Sequence, residues 1–156
     1  MEADATALLA RIIREVRVAA LGTLRQGAPL VSMVAFLPEP DFGGFCLRIS
    51  RLAWHTQDML TDPRVSLSIA EPDDGRADPQ TLARVALRGE AIQLAGKGES
   101  FERLKAAWLA RFPESAVTFG LADFGFWRLV PRDARFVAGL GRTYNLSPES
   151  LRRAAI

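Results

Sequence analysis

The first third of the chain changes its hydrophobic period twice. Leu8, Leu9, Ile12, Ile13 and Val16 recur at helical spacing with Arg11, Arg14 and Arg17 between them, which predicts an amphipathic helix capped by Asp4 and running to about Val18. Two apolar runs follow, Val18–Leu24 and Pro29–Leu37, joined by Arg25-Gln26-Gly27-Ala28, and that is a hairpin signature. Pro38 to Gly44 reads as a loop, because its prolines and paired glycines break regular structure. Phe45–Ile49 reads as a strand leading to Ser50, which can cap a short helix with Leu52, Thr56 and Met59 on its buried face. Asp62-Pro63 stops that helix, since the residue before proline avoids the helical region. Val65, Leu67 and Ile69 then alternate with Ser66 and Ser68, as in a half-buried strand.

The second half continues in hairpin-like succession. Glu71–Gln80 is polar and reads as an exposed loop. Thr81–Leu94 predicts a long strand in which Gly89 marks a bulge or a close backbone approach. Gly98–Arg111 is a helix with Phe101, Leu104 and Trp108 on one face, and Pro113 opens another short helix through Phe119. Asp123–Val130 and Ala134–Ala138 read as the last two strands, separated by a tight turn at Pro131-Arg132-Asp133. Ser147-Pro148-Glu149 has the cap and first-turn proline of a C-terminal helix. Six or seven strands with few intervening helices predict a mainly β fold, an antiparallel barrel with peripheral helices, as one domain over 1–156. A doubly wound parallel sheet fits badly, because its strands need crossover helices and several here follow one another without one.

Composition narrows the partners. Lys and Arg total 20 against 18 acidic residues, a net charge of +2. The arginines are scattered apart from Arg152-Arg153, which reads as a solvated helix end, so no nucleic-acid surface is expected. Cys46 is the one cysteine; in an apolar strand it reads as a small core residue, and no metal-ligand spacing accompanies it. No apolar run reaches the ~18–20 residues of a membrane span, and the acidic, periodic start is unlike a signal peptide, so a cytoplasmic protein is expected.

The candidate chemistry is sparse. His55 is the single histidine, no nucleophile-elbow motif is present, and no ligands for zinc cluster around it. A lone helical histidine is most often structural or solvent-facing. Its place in the first turn after a strand favours a second reading, because unpaired N–H groups and the helix dipole there attract an anion. Ser50, Arg51, His55 and Thr56 are the side chains around that position. Gly139-Leu140-Gly141 lacks the third glycine of a dinucleotide fingerprint, Asp73-Asp74 reads as a solvated pair, and Phe126-Trp127 reads as core or interface.

Six segments, in order, resemble the pyridoxamine 5′-phosphate oxidase-like split-barrel flavoproteins. They are ALGTL (20–24), GAPLVSMV (27–34), SRLAWHTQDMLTDPRVSL (50–67), LARVALRGEA (82–91), FPESAVTFGLADFGFWRL (112–129) and FVAGLGRTYNL (136–146). Within that family the chain is most similar to the haem-utilisation, HugZ-like branch. The resemblance implies a six-stranded antiparallel split β-barrel and a homodimer with FMN at the subunit interface. It places FMN contacts on Ser32, Met33, Val34, Ile49, Ser50, Arg51, His55, Thr56 and Arg84.

The implied function is an FMN-binding small oxidoreductase of unknown substrate, with the flavin carrying the chemistry and no side chain acting as acid or base. Two departures shape that expectation. Ser32 and Leu37 stand where true pyridoxamine phosphate oxidases carry basic residues, and their C-terminal Arg-x-His motif is missing. The haem-ligating histidine of the haem-utilisation branch lies in a further C-terminal domain and has no counterpart before Ile156. A non-catalytic flavin or haem carrier, and a ligand-free dimeric barrel, are the alternatives.

Overall fold

A computed structural model describes all residues, Met1–Ile156. In chain order the elements are α1 (Ala3–Glu15), β1 (Val18–Arg25), β2 (Ala28–Ala35), β3 (Leu37–Pro38), β4 (Phe45–Ser50), α2 (Trp54–Thr61) and β5 (Arg64–Ala70). There follow β6 (Arg84–Gln93), α3 (Glu99–Arg111), β7 (Phe124–Val137), β8 (Thr143–Leu146) and α4 (Pro148–Ala154), with single 3₁₀ segments at Pro79–Thr81 and Pro113–Gly120. Every strand pairing is antiparallel, in the order β2-β1-β5-β6-β7-β4-β3, with β8 beside β7. This is the antiparallel split barrel with peripheral helices that the sequence predicts. Eight strands stand where six were expected, because β3 and β8 are short additions.

The inward face of the curled sheet and two helices enclose the main core. Leu21, Leu67, Leu87, Phe45 and Phe136 from the strands meet Leu9 and Ile13 of α1 and Leu151 of α4, all fully buried. A smaller aromatic cluster of Trp108, Phe112 and Phe126, flanked by Phe101 and Phe119, seats α3 on the other side of β4 and β7. Phe126 therefore belongs to this second cluster and Trp127 to the first, which settles both as core. Cys46 is buried, and burial pushes its thiol up to about 11, so it packs as expected of an inert core residue.

Four local expectations are corrected. The turn at Pro131-Arg132-Asp133 does not exist: β7 runs unbroken for 14 residues from Phe124 to Val137. The bulge lies in β7 itself: between Arg88 and Gly89 of its partner β6 the register skips Arg132, which sets Gly89 opposite Pro131. A Cβ on Gly89 would lie 2.0 Å from the Val130 carbonyl oxygen, so only glycine fits, and the bulge absorbs a proline that a regular ladder would reject. Ser50 does not cap α2, because the cap position falls on Ala53. Leu52 consequently lies in the turn and is 70% exposed, while Thr56 and Met59 are buried as predicted. Asp4 is not the cap of α1 either; it sits in the first turn and pairs with Arg142 at 2.9 Å.

Other signals are confirmed. Gln26 and Gly27 both adopt positive φ, 53° and 80°, as a two-residue hairpin turn requires. Ser147 caps α4 by accepting from the Ser150 N–H at 3.2 Å, with Pro148 at the first helical position.

Candidate ligand-binding site

The structure distributes the nine predicted contact residues over three places. Val34 and Ile49 are 4% and 6% exposed and belong to the main core. Ser32, Ser50, Arg51, His55 and Thr56 gather around the start of α2. Met33 and Arg84 lie on the outward face of the sheet.

The α2 cluster is an anchored joint. The Asp58 carboxylate, 4% exposed, accepts from Thr23 Oγ1 and from Arg25 Nη1, both at 2.8 Å, and so ties α2 to β1. Arg25 also lies 4.1 Å over the Trp54 ring. His55 Nδ1 lies 3.0 Å from Ser32 Oγ, while Nε2 is enclosed without a partner. A buried N–H without an acceptor is the costlier arrangement, so the favoured tautomer carries its proton on Nδ1 and donates it to Ser32. Burial lowers the His55 pKa, and the nearby Asp58 only partly opposes this, so the site favours the neutral ring.

Tested against the phosphate of a flavin mononucleotide, this cluster fits poorly. By helix geometry the first-turn N–H groups of α2 lack intrahelical acceptors, and Arg51 is exposed, both of which favour an anion. Against them, Ser50 Oγ donates to the Asp123 carboxylate at 2.6 Å, so a negative charge occupies the neighbourhood. Thr56 Oγ1 donates to the Ser50 carbonyl at 2.6 Å and is 2% exposed. Arg84 is not part of this cluster: it pairs with Ala70 and Val137, near the opposite end of β7 from the Phe124 that pairs with Ser50.

The outward face differs. Cross-strand register sets Met33 opposite Ala20, Ala20 opposite Ser68, and Ser68 opposite Ala86, while Ala70 faces Arg84 in the pair beyond. These side chains alternate with core residues and point away from the barrel. Between Met33 and Arg84 the row holds only small residues. Gly22, beside it, is close enough to Ser66 that a Cβ would lie 2.3 Å from its hydroxyl. The result is an open groove of about 490 Å³ lined by Val18, Ala20, Val31, Met33, Ser68 and Ala70 among others. Val31 and Met33 are 68% and 71% exposed, large for apolar side chains on one strand. Arg84 stands beside this groove. Its Nη1 donates to the Gln80 and Leu82 carbonyls at 2.6 and 3.0 Å, and no carboxylate pairs with it.

That lining fits a flat, largely apolar ligand with an acidic edge, such as a haem. The groove supplies hydrocarbon surface and a thioether, and a guanidinium without a carboxylate partner stands one strand beyond it. Its volume lies within the ~300–1,000 Å³ usual for small-molecule sites.

Sequence reasoning missed the groove's Val18, Ala20, Val31, Ser68 and Ala70. It also missed Arg48, which is 9% exposed in the aromatic cluster, 3.6 Å over the Phe119 ring, and donates to Thr118 Oγ1 and O at 3.1 Å. Desolvation lowers the Arg48 pKa. The groove did leave a trace in the sequence, since Val31 and Met33 are apolar on the phase of β2 that does not face the core.

Fold and face together define a split-barrel protein with an open, largely apolar groove on its outer sheet. The chain belongs to the pyridoxamine 5′-phosphate oxidase family, whose profile matches residues 5–138. It is 36% identical over 121 residues to a chloroplastic heme oxygenase, HOZ, of Arabidopsis thaliana, covering 76% of this chain and 35% of that protein. It is 29% identical over 134 residues to the heme oxygenase HutZ of Vibrio cholerae, covering 81% and 71% respectively. A solved heme binding protein from Mycobacterium smegmatis matches with a TM-score of 0.84 and 27% identity, over 98% of this chain and 62% of that one. The chain thus spans about a third of the first of these relatives and most of the second. These relatives agree with the HugZ-like branch of the family.

Proposed function

We propose that this protein binds haem on the outward face of β1, β2 and β5. The observation that carries the reading is the groove itself, where exposed apolar side chains and a row of small residues lead to an arginine without a carboxylate partner. Val18, Ala20 and Val31 would cover one face of the macrocycle and exclude water from it. Arg84 would receive a propionate in a charge-assisted hydrogen bond. Haem would bring redox-active iron, which no side chain of this chain supplies. A second copy of the chain would cover the rest of the face, so the protein is proposed to act as a homodimer. The haem-named relatives support this reading over the flavin oxidoreductase expected from the sequence.

The flavin remains the second reading, favoured by one feature. β2 ends the strand order, so the backbone groups of Ser32–Val34 along its outer edge have no strand partner and are open to a flat heterocycle. One experiment separates the two. Purified protein is mixed with hemin or with FMN, passed over a desalting column, and its visible spectrum recorded. A retained and shifted Soret band with hemin, and no flavin retained, is the expected result. Flavin retained with no Soret band would overturn the haem reading in favour of the second.

A further inference from the structure

Resting on the haem reading, we propose that the Met33 thioether is the iron ligand that this face offers. The residues lining the groove include only three side chains with a heteroatom, Ser32, Met33 and Ser68. Neutral hydroxyls are weak ligands for haem iron, whereas a thioether is an established axial ligand type. Among the other donor side chains, Met1 is exposed but lies beside Thr143–Leu146 and not in this groove, and the rest are withdrawn. His55 keeps Nδ1 on Ser32 and has Nε2 enclosed by protein. Cys46 is buried with its thiol held protonated, Met59 is 3% exposed in the core, and Tyr144 is hydrogen-bonded to Glu2.

Met33 is also well placed. It is 71% exposed, and its cross-strand neighbours Ala20 and Ser68 are short, so nothing in that row stands as tall beside it. Arg84 sits three strand spacings away, across β1 and β5, and two residues further along, about 16 Å in all at the usual strand dimensions. The two side chains stand on the same outward face, Met33 exposed and Arg84 held by the Gln80 and Leu82 carbonyls, so one macrocycle lying across the face could meet both. The thioether needs no deprotonation to bind, so its ligation is insensitive to pH across the neutral range.

The test uses the ferric and ferrous hemin complexes of the whole chain and of Met33→Ala and Met33→His, read by absorption and magnetic circular dichroism. Wild type is expected to show the charge-transfer band of thioether-ligated ferric haem. Met33→Ala is expected to lose that band while still retaining hemin, with affinity reduced by about tenfold. Met33→His is expected to replace it with a nitrogen-ligated low-spin spectrum. Hemin bound by Met33→Ala with a spectrum identical to wild type would overturn the ligand assignment and leave haem binding intact. No Soret shift with wild type would instead overturn the haem reading itself, and with it the assignment. Circular dichroism of the apoproteins checks that the exposed substitutions leave the fold unchanged.

Discussion

The α2 joint and the outward groove sit on opposite faces of the same two strands and are built on contrary principles. In the joint most side chains are tied to one another, His55 Nε2 being the exception: Asp58 accepts from Thr23 and Arg25, Thr56 donates to Ser50, and Ser50 donates to Asp123. In the groove the conspicuous groups lack partners: Val31 and Met33 are exposed, and Arg84 has no carboxylate. Satisfied polar networks fix a structure, whereas unpartnered surface marks what the chain presents to something else. The side chains with the most eye-catching chemistry, including the only histidine, are therefore assigned to architecture. The bland ones are assigned to binding.

The largest expected effect lies in the joint. Asp58→Ala strands the Arg25 guanidinium and the Thr23 hydroxyl, and is expected to cost about 3 kcal/mol in denaturant unfolding. Val31→Asp with Met33→Asp is expected to change stability by no more than about 0.5 kcal/mol, as for exposed positions generally. If the two sets cost the same, the contrast between joint and groove fails.

Next in size is ligand affinity at the edge of the groove. Arg84→Gln removes one charge-assisted hydrogen bond and is expected to weaken hemin binding by about tenfold, roughly 1.4 kcal/mol. Arg51→Ala, in the joint, is expected to leave the isotherm unchanged. Equal losses from the two arginines would move the ligand toward α2.

The smallest effect is a pH dependence. The folded-state pKa of His55 is lowered, so the unfolded chain binds its proton first as pH falls. Stability is then full above the unfolded value of about 6.5 and declines as pH drops below it toward the folded pKa. No other side-chain type has its ordinary pKa between 5 and 7. A melting temperature that decreases from pH 7 to 5 in wild type, and is flatter in His55→Gln, is the expected outcome of thermal scans at stepped pH.

What was legible in the sequence follows the range of the forces involved. Signals that act within a few residues read correctly: the cap at Ser147, the positive-φ turn at Gln26-Gly27, and the stop at Asp62-Pro63. Gly89 was readable as a bulge or a close backbone approach, but what it approaches was not, because the bulged strand passes it at Pro131, 42 residues later and opposite it only in the sheet. That missing register is why a continuous strand was read as two strands and a turn. Ser50 looked like a helix cap because its type and position suit one. The helix starts three residues later, and the Ser50 hydroxyl turns to Asp123, 73 residues away.

The candidate site divides in the same way. Met33 entered through the family resemblance, and because β2 is apolar on both phases only its pairing with Ala20 of β1 sets it on the outward face. That Arg84 shares its face depends on the pairing of Ala70 with Arg84 and of Ala20 with Ser68, which no local pattern encodes. His55 drew attention by its rarity, and only the contact with Ser32 reveals how firmly it is held.

The most direct test compares two double variants by hemin titration followed at the Soret band, beside wild type. One carries Val31→Asp and Met33→Asp in the groove; the other carries Arg51→Ala and His55→Gln in the joint. Loss of hemin binding in the groove variant, with a wild-type isotherm in the joint variant, is the predicted result. Hemin binding that survives in the groove variant and disappears in the joint variant would contradict the account and return the site to the start of α2.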